Sequence, residues 1–439
     1  MNHSIAILPT LNDATDVARH RMCIGCGACV SVCPEKKLQM VDLLDDGLRP
    51  VSTGNGCGDC TDCLTVCPGI GISHASQPAT AGFNKALAPS WGPVLEVWEG
   101  HAADAALRRD GSSGGLASAL ALYCVERGGM HGLVHIGSDE KARWRNRTQL
   151  SRTRDEVLAA TGSRYAPASP CDHLEWIEDA PAPCVFIGKP CDVEAVRKAG
   201  AIRPRLERNL GLAIGIFCAG TPSTQGTLDL LHEHGLDPAE VEDVRYRGRG
   251  WPGSFAVRLK REPEAWRDLA TYAEAWGFLQ KYRPYRCHLC PDGTSEFADI
   301  ACGDPWYREL EDDEPGQSLV VVRTQRGREI VRAAIEAGYV RLEPVRPELL
   351  QMSQRELQLK RGAIWGRIWT MRALAVPAPR FEGFALFRNW LAIPWRHKLR
   401  SVIGTARRVI TRRYHRPLGS PWLRSEAPTL GVQVPPVQR

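Results

Sequence analysis

The chain has 439 residues, of which 43% are hydrophobic and 24% charged, as in an ordinary soluble globular protein of about three domains. No apolar run reaches the length of about 18 residues that a transmembrane helix needs, and the N-terminus lacks the charged and apolar segments of a signal peptide. The net charge of +6 is modest but uneven, because ten Lys and Arg residues stand against one acid between Arg380 and Arg416.

Two copies of one cysteine pattern follow a short lead-in. The first is Cys23, Cys26, Cys29 and Cys33 before Pro34, and the second is Cys57, Cys60, Cys63 and Cys67 before Pro68. Both read C-x2-C-x2-C-x3-C-P, the pattern of bacterial ferredoxins that bind 4Fe-4S clusters. The alternatives are a disulfide framework or structural zinc, but zinc sites favour paired C-x2-C units.

This N-terminal part resembles a two-cluster bacterial ferredoxin, in which the fourth cysteine of each run ligates the other cluster. We therefore predict two 4Fe-4S clusters with crossed ligation. One is assigned to Cys23, Cys26, Cys29 and Cys67, and the other to Cys57, Cys60, Cys63 and Cys33. Cluster thiolates need a reducing compartment, so we expect a cytoplasmic protein.

Apolar strands alternate with helices beyond a Gly-, Ala- and Pro-rich linker. A strand is predicted at 132–137. The segment 184–192 is predicted as a buried strand that runs into a turn and then a helix, the segment 210–223 repeats that design, and two more strands are predicted within 240–260. A strand at 318–324 and a helix at 326–338 complete the series. The alternation predicts an α/β core, a mixed sheet with flanking helices, in which ligands bind beyond the carboxyl ends of strands.

A Gly- and Ser-rich turn precedes a predicted helix at 108–127, with Asp110 and Ser112 as candidate N-caps. Free N–H groups at a helix start favour phosphate, so this turn is a candidate cofactor site, formed by Ser112, Ser113, Gly114 and Gly115. The alternative is a close-packed helix start with no ligand.

Five motifs in this order resemble the beta-subunit family of coenzyme F420 hydrogenases and dehydrogenases, which also includes chlorophyll-pathway reductases. They are SSGGLASALALY, GSRYAPAS, CVFIGKPCDVEAVRK, IGIFCAGTPS and YRCHLCPDGTSEFADIACGDPW. The resemblance covers roughly residues 20–345. It implies an FAD-binding core that relays electrons through 4Fe-4S clusters, with Arg164 and Lys189 as further candidates for the flavin pocket. Lys189 stands where the family usually has threonine.

The resemblance also implies that four core cysteines hold a third 4Fe-4S cluster, namely Cys191, Cys218, Cys287 and Cys290. No short run joins them, so the residues alone indicate buried free cysteines. Cys124, Cys171, Cys184 and Cys302 are expected in the core. No general acid or base is named, since His131, His135, His173, His232 and His288 are scattered.

The predicted function is an iron–sulfur flavoprotein oxidoreductase that passes electrons between FAD and 4Fe-4S clusters. The alternative is an electron-relay subunit of a larger complex whose substrate site lies on a partner. We expect a redox partner protein or a small-molecule electron donor, an oligomer as one option, and no nucleic acid.

The C-terminal segment interleaves aromatic and aliphatic residues with arginine and is broken at Pro394. It predicts an amphipathic helix at an anionic membrane surface, such as the inner membrane face, or against a partner, or else packed on the protein's own core. The predicted domains are a ferredoxin-like α+β domain at 1–75, a linker at 76–93, the two parts of the flavin-binding core at 94–175 and 176–350, a helical basic tail at 351–416 and disorder at 417–439.

Overall fold

The computed structural model describes residues 11–53, 58–76, 81–308 and 314–419. Cys57, and the part of the predicted disordered segment from 420 onward, lie outside these ranges.

The N-terminal part folds around the cysteine runs. Its elements are α1 (Ala14–Arg19), α2 (Ala28–Val32), β1 (Leu38–Leu43), β2 (Gly47–Ser52), α3 (Asp62–Thr65) and β3 (Gly71–Ser73). β1 and β2 form an antiparallel hairpin. α2 starts inside the first run because Gly27, at a φ of 88°, turns the backbone in a left-handed conformation that other residues rarely adopt.

The core begins with a short helix, Ala88–Trp91, inside the segment predicted as a linker, and Trp91 of this helix is buried. This helix is α4, and the elements after it are β4 (Glu96–Ala102), α5 (Ala105–Asp110), α6 (Leu116–Glu126), β5 (Leu133–Ser138), β6 (Asn146–Ser151), α7 (Arg154–Ala159), α8 (Glu175–Glu178), β7 (Cys184–Gly188), α9 (Pro190–Ile202), α10 (Pro204–Asn209), β8 (Leu210–Ile216) and α11 (Thr224–Glu233).

A small sheet interrupts the core before its last strands. This part comprises β9 (Val241–Arg245), β10 (Ser254–Leu259), β11 (Glu262–Thr271), α12 (Tyr272–Leu279), α13 (Tyr285–His288), β12 (Ile300–Gly303), β13 (Ser318–Val322), α14 (Gln325–Glu336) and β14 (Val340–Pro344). β9, β10 and β11 pair antiparallel. The third of these strands was not predicted, because its alternation is mostly polar.

The main sheet has eight strands in the order β14-β4-β13-β12-β8-β7-β5-β6. The central strands β5, β7, β8 and β12 run parallel, and the outer pairs are antiparallel. Apolar clusters cover both faces of the central strands, as in parallel sheets generally. The mixed sheet with flanking helices confirms the predicted α/β class.

The C-terminal segment packs onto both the core and the N-terminal part. It contains α15 (Leu349–Ser353), α16 (Arg355–Ala373), β15 (Arg380–Glu382), α17 (Leu386–Ala392) and α18 (Trp395–Thr411). β15 pairs with β3 in parallel. α17 and α18 are separated at Pro394, where the sequence predicted a break. In the described ranges, no helix combines the length and apolar character that crossing a bilayer requires.

Arg323 ties the sheet to α4 from a buried position. Its guanidinium donates to the carbonyls of Trp91 and Pro93 at 2.8 and 2.7 Å and to the Thr294 carbonyl at 2.8 Å. We predict that Arg323→Met destabilises the fold by roughly 3 kcal/mol, because the three carbonyls would stay buried without these charged donors. Thermal unfolding of the variant should show a midpoint several degrees lower. Arg332→Met, at an exposed position, is the matched control, and equal midpoints for both variants would refute the prediction.

Candidate functional site

A cavity of about 1040 Å³ lies beyond the carboxyl ends of β7, β8 and β12. We call it the core cavity. Lys189 follows β7, Cys218 follows β8 and Asp304 follows β12, and all three line it. Its volume reaches the upper end of the usual range for ligand sites, about 300–1,000 Å³. The parallel strands therefore form the ligand-sized site that the α/β pattern predicts at this edge.

The Gly/Ser turn forms one wall of the core cavity. Ser112, Ser113 and Gly115 line it, whereas the Gly114 N–H is used within the protein and donates to Ser318 Oγ at 2.7 Å. The predicted N-caps Asp110 and Ser112 are wrong. The helix begins at Leu116, with Gly115 as an N-cap that has a φ of 69° and offers no side-chain acceptor. The first N–H groups of α6 thus lack a side-chain cap beside the cavity.

Close packing explains why glycine occupies that N-cap. A side chain at Gly115 would overlap the carbonyl of Leu107 in α5. Gly115 is therefore consistent with both interpretations of the turn, a close-packed helix start and a cofactor site, since it is tightly packed and also lines the cavity.

Arg164 lines the core cavity, but its guanidinium is engaged by the protein. It donates to Asn146 Oδ1 at 2.5 Å and to the Val244 carbonyl at 3.2 Å. Burial lowers its pKa. The structure thus makes Arg164 a support of the cavity wall, joining β6 to β9.

Lys189 is a cation close to the core cysteines Cys191 and Cys218. Its Nζ lies 2.6 Å from Asp192 Oδ2, and the aspartate is 1% exposed. Burial lowers the pKa of Lys189, but Asp192 and Cys191 raise it by more, so the ammonium stays charged. Lys189 also lines a second cavity of about 20 Å³, which we call the small cavity.

An aromatic wall that the sequence did not reveal completes the core cavity. Arg247, 2% exposed, pairs with Asp304 at 2.8 Å and lies over the ring of Tyr272 at 4.6 Å. Asp304 also accepts from Ser113 Oγ at 2.8 Å, which joins the wall to the Gly/Ser turn. Trp306 stacks on Tyr272 with ring centroids 5.7 Å apart. The motif ADIACGDPW contained two of these residues, but nothing in it pointed to Arg247.

The four core cysteines converge beside the core cavity. Burial raises the pKa of Cys191, and Asp192, Cys218 and Cys290 add to the effect. Burial also raises the pKa of Cys218, which Cys287 raises further while Lys360 lowers it. A Cβ on Gly220 would lie 3.2 Å from Cys287 Cβ, so the loop after β8 touches the C-x2-C loop. These contacts join the three segments that the resemblance linked.

The ferredoxin-type cysteines also come together across the two runs. Burial raises the pKa of Cys26, and Cys67 is its next largest cause. Cys23 and Cys67 share one apolar cluster, while Cys29, Cys33 and Cys63 share another. The fourth cysteine of each described run thus packs with the other run. With Cys57 outside the described residues, the ligand assignment stays a prediction.

Backbone N–H groups point at several of these sulfurs. Gly25 N donates to Cys23 Sγ and Lys37 N to Cys33 Sγ, both at 3.3 Å. Such bonds tune the potentials of cluster sulfurs, so the donor set fits iron–sulfur clusters. Across the described part of the chain, no three His, Cys, Asp or Glu side chains are gathered around a single-ion position. A cluster binds each thiolate to a different iron, so its ligands stand farther apart.

The small cavity lies between the two groups of cysteines. Its lining includes Cys23 of the first run, Cys287 of the core group and Lys189. Cys218 of the core group lines the core cavity. The core cysteine group therefore has one member, Cys218, at the core cavity and another, Cys287, at the small cavity that Cys23 also lines.

The remaining candidates take structural positions. Cys124, Cys171 and Cys184 are fully buried in apolar clusters, as expected, and Cys302 is 7% exposed at the cavity. His135 bonds Ser151 Oγ at 2.8 Å, and burial lowers its pKa to about 4. Burial lowers the pKa of His288 to about 3, so both rings are neutral.

Three family models match the chain. "Coenzyme F420 hydrogenase/dehydrogenase, beta subunit N-term" matches residues 97–175, and the C-terminus of the same subunit matches residues 183–348. A "4Fe-4S dicluster domain" matches residues 22–69.

Relatives with curated names carry similar descriptions. The coenzyme F420 hydrogenase subunit beta of Methanosarcina barkeri is 26% identical over 58% of this chain and 84% of its own length. The same subunit of Methanococcus voltae is 26% identical over 63% of this chain and 95% of its own length. The coenzyme F420-dependent sulfite reductase of Methanocaldococcus jannaschii is 23% identical over 80% of this chain, which spans half of that protein.

A solved structure shares the fold. A chain of the F420-reducing NiFe hydrogenase complex from Methanosarcina barkeri superposes with a TM-score of 0.50 at 23% identity, over 64% of this chain and 94% of that one.

Crossed ligation can be tested by counting iron. If Cys23 and Cys67 serve one cluster, C23A, C67A and the C23A/C67A double variant should each lose about four irons per chain. With ligation by each run separately, the double variant would lose about eight. Iron and sulfide are measured after anaerobic reconstitution, and C124A is the control. If the double variant loses about eight irons while each single variant loses about four, crossed ligation is refuted.

Proposed function

This chain belongs to the coenzyme F420 hydrogenase/dehydrogenase beta-subunit family, and from that membership we propose that it is a flavoprotein that passes electrons between FAD and iron–sulfur clusters. Its named relatives are hydrogenases, a sulfite reductase and a formate dehydrogenase or their subunits, so the prediction of an oxidoreductase is confirmed. The dicluster match likewise supports 4Fe-4S clusters in the N-terminal part. The flavin and the third cluster are our proposals.

The observation that carries the proposal is the position of the core cysteines. Cys218 lines the core cavity, and Cys287 lines the small cavity together with Cys23. A flavin in the core cavity would exchange electron pairs with a substrate and single electrons with clusters, which is the chemistry that this cofactor supplies. A third cluster on the core cysteines would join the flavin to the first run.

The residues around the core cavity fit a flavin nucleotide. The uncapped start of α6 offers N–H groups and a positive dipole end to phosphates. Tyr272 and Trp306 provide flat apolar surface. Lys189 keeps a positive charge at the same edge, and we propose that it favours the anionic reduced form of a nearby flavin.

The fit to a third cluster rests on charge as well as on sulfur. A cluster with four thiolates is anionic, and Lys189 and Lys360 are among the cations near the core cysteines. Lys189 lowers the pKa of Cys191, and Lys360 lowers the pKa of Cys218 and Cys290, although burial keeps that of Cys290 at about 12. Both cations favour the thiolate form that binds iron.

A second candidate function comes from the relatives. Several are subunits of larger enzymes, and the solved structure is a hydrogenase complex. On this alternative the chain relays electrons for a partner that holds one substrate site. Anaerobic purification of the chain with and without its binding partners, followed by assay with hydride donors, separates the two. Reduced coenzyme F420 is the first donor to test because it is named in the relatives. Turnover by the isolated chain would exclude the relay.

We predict that Gly115→Val weakens flavin binding, because the added side chain would move the start of α6. The measurement is flavin content after reconstitution with FAD, and the variant should bind at least tenfold more weakly. Gly129→Val is the matched control, since Gly129 has the same φ of 69° but no atom within 4 Å of an added Cβ. Equal FAD content in both variants would contradict the assignment of the turn.

The third cluster makes a separate prediction. C191A and C290A should each lose about four of about twelve irons per chain and keep the electron paramagnetic resonance signals of the other two clusters. C124A, at a buried core position, should lose none. If wild type holds only about eight irons after reconstitution, the third cluster is excluded while the flavin proposal stands.

A further inference from the structure

The last helix turns its small and polar side inward. On α18 the buried residues are Ser401, Thr405 and Val409, spaced every four positions. Ser401 packs against α16 at Gly366, where any side chain would collide with the serine hydroxyl. The Trp390 indole of α17 donates to Ser401 Oγ at 3.2 Å. Close approach at a glycine thus decides which side of α18 faces the protein.

A second side of α18 carries large apolar residues in solvent. Trp395 is 66% exposed, Leu399 50%, Ile403 57% and Ile410 65%. Their spacings of four, four and seven residues place them on one face of a helix. We call this row the apolar stripe. Large apolar residues that are half exposed or more and share one helix face mark an interaction surface, since singly exposed apolar residues would be scattered around the helix.

A row of exposed arginines borders the stripe. Arg396 and Arg400 each follow a stripe residue by one position, and Arg407 continues the row. At 3.6 residues per turn these three lie side by side, next to the stripe and away from the buried side. From Gly383 to Arg416 the sequence has nine Lys and Arg residues and no Asp or Glu.

A second exposed apolar group lies on the two helices that pack with α18. Trp369 of α16 and Phe387 and Leu391 of α17 are 50% exposed or more. Trp365 supports them, with its ring centroid 4.9 Å from Phe387 and 6.3 Å from Trp369.

We propose that the apolar stripe and its arginine row bind the surface of an anionic phospholipid bilayer, with α18 lying in the interface plane. Tryptophan and leucine enter the boundary between headgroups and acyl chains, while arginines pair with lipid phosphates. A second copy of the chain fits this face less well. Pairing two stripes with the helices antiparallel would bring the two arginine rows to the same edge of the contact, and like charges oppose such an interface.

Contacts of the C-terminal segment extend the consequence to the cysteine runs. β15 pairs with β3, which follows the second run, and Arg21 donates to the Arg416 carbonyl at 2.9 Å. Binding through α18 would therefore hold the N-terminal clusters close to the bilayer.

The test is flotation of the full reconstituted chain with vesicles. Phosphatidylcholine vesicles containing phosphatidylglycerol are compared with phosphatidylcholine alone, at about 0.1 M and about 1 M ionic strength. We expect binding to the anionic vesicles at the lower salt only. R396Q/R400Q/R407Q should reduce the partition coefficient about a hundredfold, at roughly one order of magnitude for each one or two arginines. W395S/L399S/I403S should reduce it at least tenfold.

The matched controls are R205Q/R208Q/R261Q, which removes three exposed arginines elsewhere, and Ile202→Ser, which removes an exposed apolar residue. Both should float like wild type, and iron content verifies that each variant is folded. Absence of flotation in wild type overturns the proposal, as does flotation that the stripe and arginine variants leave unchanged. Light scattering tests whether a second copy of the chain binds this face instead. A dimer that does not bind vesicles, and that W395S/L399S/I403S dissociates, would identify the face as a contact between copies and overturn the proposal.

Discussion

Three strand ends set the positions of the candidate groups in the core. β7, β8 and β12 are buried and parallel, so their backbone hydrogen bonds fix where each following turn begins. Lys189 follows β7 and Cys191 lies at the start of α9, Cys218 follows β8 and Asp304 follows β12. A shift of one residue in the pairing would turn inward groups outward. The register of the central sheet is therefore the condition on which the core cavity and the cysteine group depend.

Buried charge at this edge is balanced locally. Asp192 pairs with Lys189, and Arg247 pairs with Asp304, each with at least one member almost fully buried. Breaking one such pair would leave an uncompensated charge in a place from which water is largely excluded. The thiols differ, because burial raises the pKa of Cys191 and Cys290, whereas nearby cations lower it and bound iron would favour the thiolate. Positive charge near the cysteines thus has a role distinct from ordinary ion pairing.

Features encoded in short segments were predicted well, and features formed by distant segments were not. The spacing of the ferredoxin-type cysteines and the apolar strands identified the N-terminal domain type and the α/β core. The start of α6 was misplaced because an N-cap preference favours Ser112, whereas close packing against Leu107 selects glycine at 115. The pair of Arg247 and Asp304 spans 57 residues and has no local signal. The sequence also left open which side of α18 faces inward, since that depends on Gly366 in another helix.

The loops that carry the first cysteine run are held by the core. Cys171 N donates to the Cys26 carbonyl at 2.9 Å, and Ser169 Oγ donates to the Gly25 carbonyl at 2.7 Å. On the second run, Lys198 Nζ donates to the Cys67 carbonyl at 3.0 Å and Arg286 to the Pro68 carbonyl at 3.0 Å. A ferredoxin domain on a flexible tether would sample many separations from the core. Here donors from three core segments fix the carbonyls beside the cysteines, so the separation between the two cysteine groups is set by the same packing that forms the core cavity.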